Sequence, residues 1–162
     1  MKTETIEERI VTELIDRQLT VTTAESCTGG LLGATLVNVP GVSEVYKEGY
    51  ITYSDEAKEK LLGVSHETLE TYGAVSAETA GEMARGAANA ADVDASIAVT
   101  GIAGPDGGTA EKPVGLVYMG CFCKGNTCVE KHIFDGDRSQ VRAQSVQAAL
   151  RLLKTMLEQS TV

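Results

Sequence analysis

Two short β-type runs in this chain, Leu19-Thr20-Val21-Thr22-Thr23 and Ala95-Ser96-Ile97-Ala98-Val99-Thr100, break directly into glycine-bearing turns. The first passes through Ala24-Glu25-Ser26-Cys27-Thr28-Gly29-Gly30 into residues 31–37, an apolar stretch of helical length that stops before Pro40. The second enters Gly101-Ile102-Ala103-Gly104-Pro105-Asp106-Gly107-Gly108, which is too rich in glycine for a regular element. Strands that end this way point to an α/β fold with both loops beyond the carboxyl ends of the strands, where such sheets place ligands.

The remaining elements fit that frame. Ile6, Ile10, Val11, Leu14 and Ile15 follow one helical face and predict an opening helix. Residues 45–53 read as a strand broken or bulged at Gly49. Ser54 reads as the cap of a short helix over residues 55–62, Ser65 as the cap of another, and Ser76 as the start of an alanine-rich helix to about Ala91. Residues 114–123 and 127–134 flank Lys124-Gly125-Asn126 as an antiparallel hairpin, and Asp137 caps a long final helix. Together these elements predict a three-layer α/β/α sandwich with a mixed, mainly parallel sheet, as one domain over residues 1–162.

Composition narrows the function. A hydrophobic share of 43% and a charged share of 23% suit a folded domain, and no segment has the apolar length of a membrane span. The net charge of −9 argues against a general nucleic-acid surface. Cys27, Cys121, Cys123 and Cys128 form no CxxC pair, and His66 and His132 are the only histidines, so no structural metal site is expected. The acidic, polar start of the chain lacks the regions of a secretory signal, and a cytoplasmic location with reduced thiols is expected.

Chemistry concentrates at residues 24–30. A helix beginning near Thr28 would aim free N–H groups at whatever sits beside Ser26, a place suited to an anion or a developing oxyanion. Ser26 needs a base to act as a nucleophile. No GxSxG elbow surrounds it and neither histidine suggests a triad, so Lys58 is the better base, with Tyr53 relaying a proton or holding substrate. On pattern alone the plainer readings come first: an N-cap for Ser26 and a solvated helix position for Lys58. Cys27 and Glu25 rank below Ser26, Cys27 as a packing thiol and Glu25 as an anchor of the turn. Thr28, Gly29 and Gly30 could cradle an anion, but they lack the pattern of an ATP or NAD loop. Arg138 and Arg142, four apart on one helical face, could bind a phosphate or simply be exposed. Asp92 and Asp94 read as a turn.

The motifs in order, Thr22 to Gly30, Gly49 to Lys58, Gly73-Ala74-Val75-Ser76, Thr100 to Gly108, Glu111-Lys112-Pro113-Val114-Gly115 and Gly136-Asp137-Arg138, resemble those of the CinA carboxyl-terminal domain family over nearly the whole chain. That resemblance implies nicotinamide mononucleotide amidohydrolase activity, yielding nicotinate mononucleotide and ammonia. It implies Ser26 as nucleophile, Lys58 as base and then acid, and Tyr53 as an assisting group. Backbone N–H groups near residues 28–30 or in Gly101 to Gly104 would hold the oxyanion, and Thr100 with the loop after it would line the pocket. Arg138 or Arg142 would take the phosphate, and no cofactor or metal is implied. A homo-oligomer, dimer or larger, is also implied. The competing expectation is a non-catalytic module that binds a pyridine nucleotide or docks a competence or DNA-damage partner.

Overall fold

Five of the helices begin at a residue whose side chain accepts a hydrogen bond from an N–H of the first turn, as the sequence led us to expect for four of them. In the computed structural model, which describes residues 2–160, Thr5 caps α1 (Ile6–Arg17) and Ser54 caps α3 (Asp55–Leu62). Ser65, Ser76 and Asp137 cap α4 (His66–Tyr72), α5 (Ala77–Ala91) and α6 (Arg138–Gln159) in the same way. The exception is α2 (Leu31–Val37), whose N-cap is Gly30 at φ 107 with no side-chain bond of its own. Met1, Thr161 and Val162 of the single-domain expectation lie outside the described residues.

The strands are β1 (Val21–Glu25), β2 (Tyr50–Ile51), β3 (Ala95–Gly101), β4 (Leu116–Cys123) and β5 (Asn126–Ile133), in the sheet order β2-β1-β3-β4-β5. β2, β1 and β3 are mutually parallel, while β3–β4 and β4–β5 pair antiparallel, so β4 alone runs against the others. Lys124 and Gly125, at φ 48 and φ 88, form the two-residue turn between β4 and β5, with the positive φ at both positions that matches strand twist. The sheet is mixed and mainly parallel by direction.

Apolar side chains separate into two clusters. One joins α1, α2 and α6 to Ile97, Val99, Met119 and Cys121; the other joins α3, α4 and α5 to Ala24 and Ala98. Alternation along β3 sends Ile97 and Val99 to the first cluster and Ala98 to the second, giving the three layers. The alanines and glycines of α5 allow that helix to lie close on the sheet. A Cβ at Gly120 would fall inside van der Waals contact of the Ala80 carbonyl oxygen.

Two sequence expectations change. The strand over residues 45–53 shrinks to Tyr50–Ile51, preceded by a 3-10 turn at Val42–Glu44 and a lone bridge between Val21 and Tyr46. There Thr22 Oγ1 donates to the Glu48 carbonyl that a ladder would pair (2.8 Å), while the Tyr46 hydroxyl bonds Thr23 Oγ1 at 2.7 Å and lies over Gly49. The helix expected to begin near Thr28 begins at Leu31, because Gly29 N donates to Ser26 O and Leu31 N to Thr28 O, closing a tight turn over residues 26–30.

β1 leads to α2 on one face and its neighbour β2 leads to α3 on the other. A crevice therefore opens between their carboxyl ends. Close packing behind it makes one prediction. Gly120→Ala should destabilise the fold by about 1–3 kcal/mol by pushing α5 from the sheet, which equilibrium denaturation will measure; an unchanged midpoint would show that α5 has room to move.

Candidate active site

Ser26 follows β1, and its N–H donates to Val99 O at 3.0 Å, extending the β1–β3 ladder by one residue. Ala24, two residues earlier, packs in the α5-side cluster, so strand alternation turns Ser26 toward the same face. Lys58 approaches from α3. The polar sequence of that helix buries only Lys58 and Leu62, four apart on one face, while Lys60 falls on the exposed side. Lys58 is 1% exposed, with Nζ 3.1 Å from Ser26 Oγ and 2.7 Å from the Thr52 carbonyl oxygen.

Burial pulls the Lys58 amine below the ordinary lysine value of 10.5, opposed by the Asp55 carboxylate and by Cys27. As an ammonium, Lys58 donates to both neighbours. Once neutral, it can keep its bond to Thr52 O and offer a lone pair to the Ser26 hydroxyl, which is how a serine is activated without histidine. Burial pushes the neighbouring Cys27 thiol up to about 11, so it stays protonated at neutral pH and is the poorer nucleophile. His66 sits between Glu59 and Glu70 on an exposed surface, and His132 pairs with Glu130 and stacks on Phe134; neither bonds Ser26.

Ser26 and Lys58 open into a cavity of about 290 Å³. Tyr53, Thr100, Gly101, Gly104 and Arg138 are in its wall. Thr100 Oγ1 donates to Ala74 O at 2.8 Å, fixing the loop before α5 against the end of β3. At the exposed mouth Arg138 donates through Nη1 to Gly104 O (2.7 Å) and through Nη2 to the Tyr53 hydroxyl (3.0 Å), tying the two sides together. A larger groove of about 550 Å³ beside α5, lined by Glu82, Arg85, Asn89 and Phe122, contains neither Ser26 nor Lys58.

Thr28, Gly29, Gly30 and Arg142 are not in the cavity wall. Arg142 reaches the back of the loop, donating from Nε to Cys27 O (3.0 Å) and from Nη2 to Thr28 O (2.8 Å). Glu25 is the anchor that its place in the sequence suggested. Its carboxylate accepts from Leu32 N (2.8 Å) and Gly33 N (3.0 Å), so the first N–H groups of α2 are bound to Glu25 and are not turned on Ser26. Ile102 N is also engaged, donating to Leu116 O. In the cavity wall, the N–H groups of Ala103 and Gly104 have no bond among the described residues, and that of Cys27 meets only its own thiol.

Sequence reasoning missed the Thr52 carbonyl and the wall formed by Ala74 and Val75. Thr52 acts through its main chain, so no residue pattern marks it. The Gly73-Ala74-Val75-Ser76 motif was a signal for the second wall, though it carried no assigned role. Asp94, by contrast, behaves as a turn residue, accepting from Thr20 N and Thr20 Oγ1.

A family model described as the CinA C-terminal domain matches residues 3–157. A protein of Clostridium beijerinckii is 53% identical over 152 residues, covering 94% of this chain and 37% of the relative. A CinA-like protein of Kosmotoga olearia is 53% identical over 154 residues, covering 95% of this chain and again 37% of the relative. The chain thus spans a little over a third of those curated relatives. Among solved structures, a competence/damage inducible protein from Agrobacterium tumefaciens superposes with a TM-score of 0.90 at 44% identity, covering 98% of this chain and 99% of that one. A competence-damaged protein (CinA) superfamily protein from Escherichia coli gives 0.90 at 42% identity, covering 93% and 88%.

The depressed Lys58 value has a thermodynamic consequence. Between its folded value and 10.5 the unfolded chain binds the proton that the folded chain has released, so stability rises with pH across that window. Lys58→Met removes the dependence. Its stability relative to the wild type should be highest near neutral pH and fall as the pH approaches 10.5, whatever constant offset comes from losing the Thr52 bond. Denaturation midpoints of both proteins across that range will measure it, and a constant difference would mean that Lys58 titrates normally.

Proposed function

This chain belongs to the CinA C-terminal domain family, and we propose that it hydrolyses the carboxamide of nicotinamide mononucleotide to nicotinate mononucleotide and ammonia. The observation that carries the reading is the buried Ser26–Lys58 pair at 3.1 Å, open to a cavity at the sheet's carboxyl end. Neutral Lys58 takes the proton from Ser26 Oγ as that oxygen attacks the amide carbon. The carbonyl electrons move onto oxygen, which accepts hydrogen bonds from Cys27 N–H and from Ala103 or Gly104 N–H. On collapse, the C–N bond breaks and Lys58 returns its proton to nitrogen, which leaves as ammonia. Water then attacks the Ser26 ester with Lys58 again as base, freeing the acid and regenerating the serine. No step calls for a metal or cofactor.

Arg138 is assigned the phosphate in this scheme, since it lies in the cavity wall beside Tyr53 and carries N–H donors beyond its two bonds. Tyr53 orients the substrate at the mouth. An assembly of two or more copies and a cytoplasmic setting belong to the same proposal. Among the described residues, no helix is long and apolar enough to cross a membrane.

Purified protein treated with a chelator should release ammonia from nicotinamide mononucleotide. Ser26→Ala and Lys58→Ala should each lower kcat by about 10³-fold or more while still binding the nucleotide. The rate should rise with pH through the depressed Lys58 titration and level off below 10.5. A silent wild type that binds the nucleotide would turn the reading toward a non-catalytic sensor or docking module. Undiminished turnover in Ser26→Ala would reject the serine as nucleophile.

A further inference from the structure

We infer that Arg142 is a positioning residue, which holds the main chain around the nucleophile in its working geometry and does not bind the substrate's phosphate. The inference rests on the Ser26 mechanism above and adds a residue to it. One guanidinium spans two consecutive carbonyls, Cys27 O and Thr28 O, immediately after Ser26. A trans peptide is planar, with its C=O and N–H pointing in opposite directions. Fixing the Cys27 carbonyl therefore fixes the Thr28 N–H, and fixing the Thr28 carbonyl fixes the Gly29 N–H. Gly29 N–H in turn donates to Ser26 O, which sets the Ser26–Cys27 peptide and with it the direction of the Cys27 N–H.

The loop is thus held from two sides. Glu25 anchors it to α2 through Leu32 and Gly33, and Arg142 anchors it to α6. Gly29 stands at φ +58, and a Cβ there would lie 3.7 Å from Arg142 Nη2, so the guanidinium packs directly on the turn. Arg142 is half-buried and has no carboxylate partner among the described residues. No carboxylate therefore offsets its charge where it packs on the turn that follows Ser26. Arg138, one helical turn earlier, is the arginine whose donors reach the cavity. Shared spacing on α6 thus serves two different tasks.

A probe that does not depend on substrate identity can test this. A fluorophosphonate reacts with an activated serine: the Oγ–P bond forms, the P–F bond breaks, fluoride leaves and Lys58 accepts the serine proton. Labelling at Ser26, followed by intact mass, should slow by about 10²-fold in Arg142→Ala. Arg142→Lys should stay impaired because one ammonium cannot replace the fork, and added methylguanidinium should recover part of the Ala variant's rate. Nicotinamide mononucleotide affinity, measured by calorimetry in the Ser26→Ala background, should be nearly unchanged by Arg142→Ala. Normal labelling with weakened nucleotide binding would overturn the inference, and so would full recovery by Arg142→Lys. If Arg142→Ala does not fold, the Lys variant alone decides between slow and normal labelling. A wild type that labels at Ser26 yet releases no ammonia would reject the proposed substrate, and the labelling ratios would still decide the role of Arg142.

Discussion

The site depends on the burial of one amine. Lys58 is among the largest fully buried side chains of the molecule, and an ammonium in that position is costly unless its hydrogens are bonded. Thr52 O and Ser26 Oγ satisfy two of the three, and the Asp55 carboxylate gives partial electrostatic support. The balance leaves the amine easier to deprotonate than an exposed lysine. A fold gains nothing in stability from such a group, since a leucine or methionine would fill the space without the desolvation cost. The proposed reaction accounts for its placement: an amine that loses its proton more easily sits within hydrogen-bond distance of a hydroxyl.

The rest of the architecture holds that pair in register. β1 delivers Ser26 and continues pairing to Val99, while β2, two residues long, delivers Thr52, Tyr53 and the cap of α3 to the same end of the sheet. Parallel pairing places these exits side by side, and the departure of α2 and α3 to opposite faces leaves the crevice between them open. α5 can lie close on the sheet because its alanines and glycines and Gly120 are small, and Ala74 in the loop before it closes the far wall against Thr100. α6 contributes Arg138 to the mouth and Arg142 to the back of the turn after Ser26.

Local chemistry was legible in the sequence where it stayed local. Ser54, Ser65, Ser76 and Asp137 cap their helices through bonds only three residues away, so residue type and position sufficed. Ser26 could be found because a strand, a polar turn and a helix follow one another without interruption. Its partner was harder, since the Ser26–Lys58 bond crosses 32 positions and the buried state of Lys58 depends on how α3 is rotated against the sheet. Arg142 illustrates the limit best. Its spacing from Arg138 suggested a shared phosphate, but one helical turn of rise separates the cavity mouth from the back of the loop. The strand over residues 45–53 failed for a similar reason: the Thr22 side chain bonds the Glu48 carbonyl that a ladder would otherwise have paired.

The proposed mechanism requires Lys58 to act as a neutral amine beside Ser26, and the titration of that amine decides whether it can. Carbon and nitrogen NMR of protein carrying labelled lysine, with the Lys58 signal assigned by its loss in Lys58→Met, would follow the amine through the pH range. A midpoint clearly below the ordinary 10.5 is expected, set apart from the exposed lysines. If Lys58 titrates together with those lysines, it is an ammonium throughout the working range, and the serine must be activated by another group.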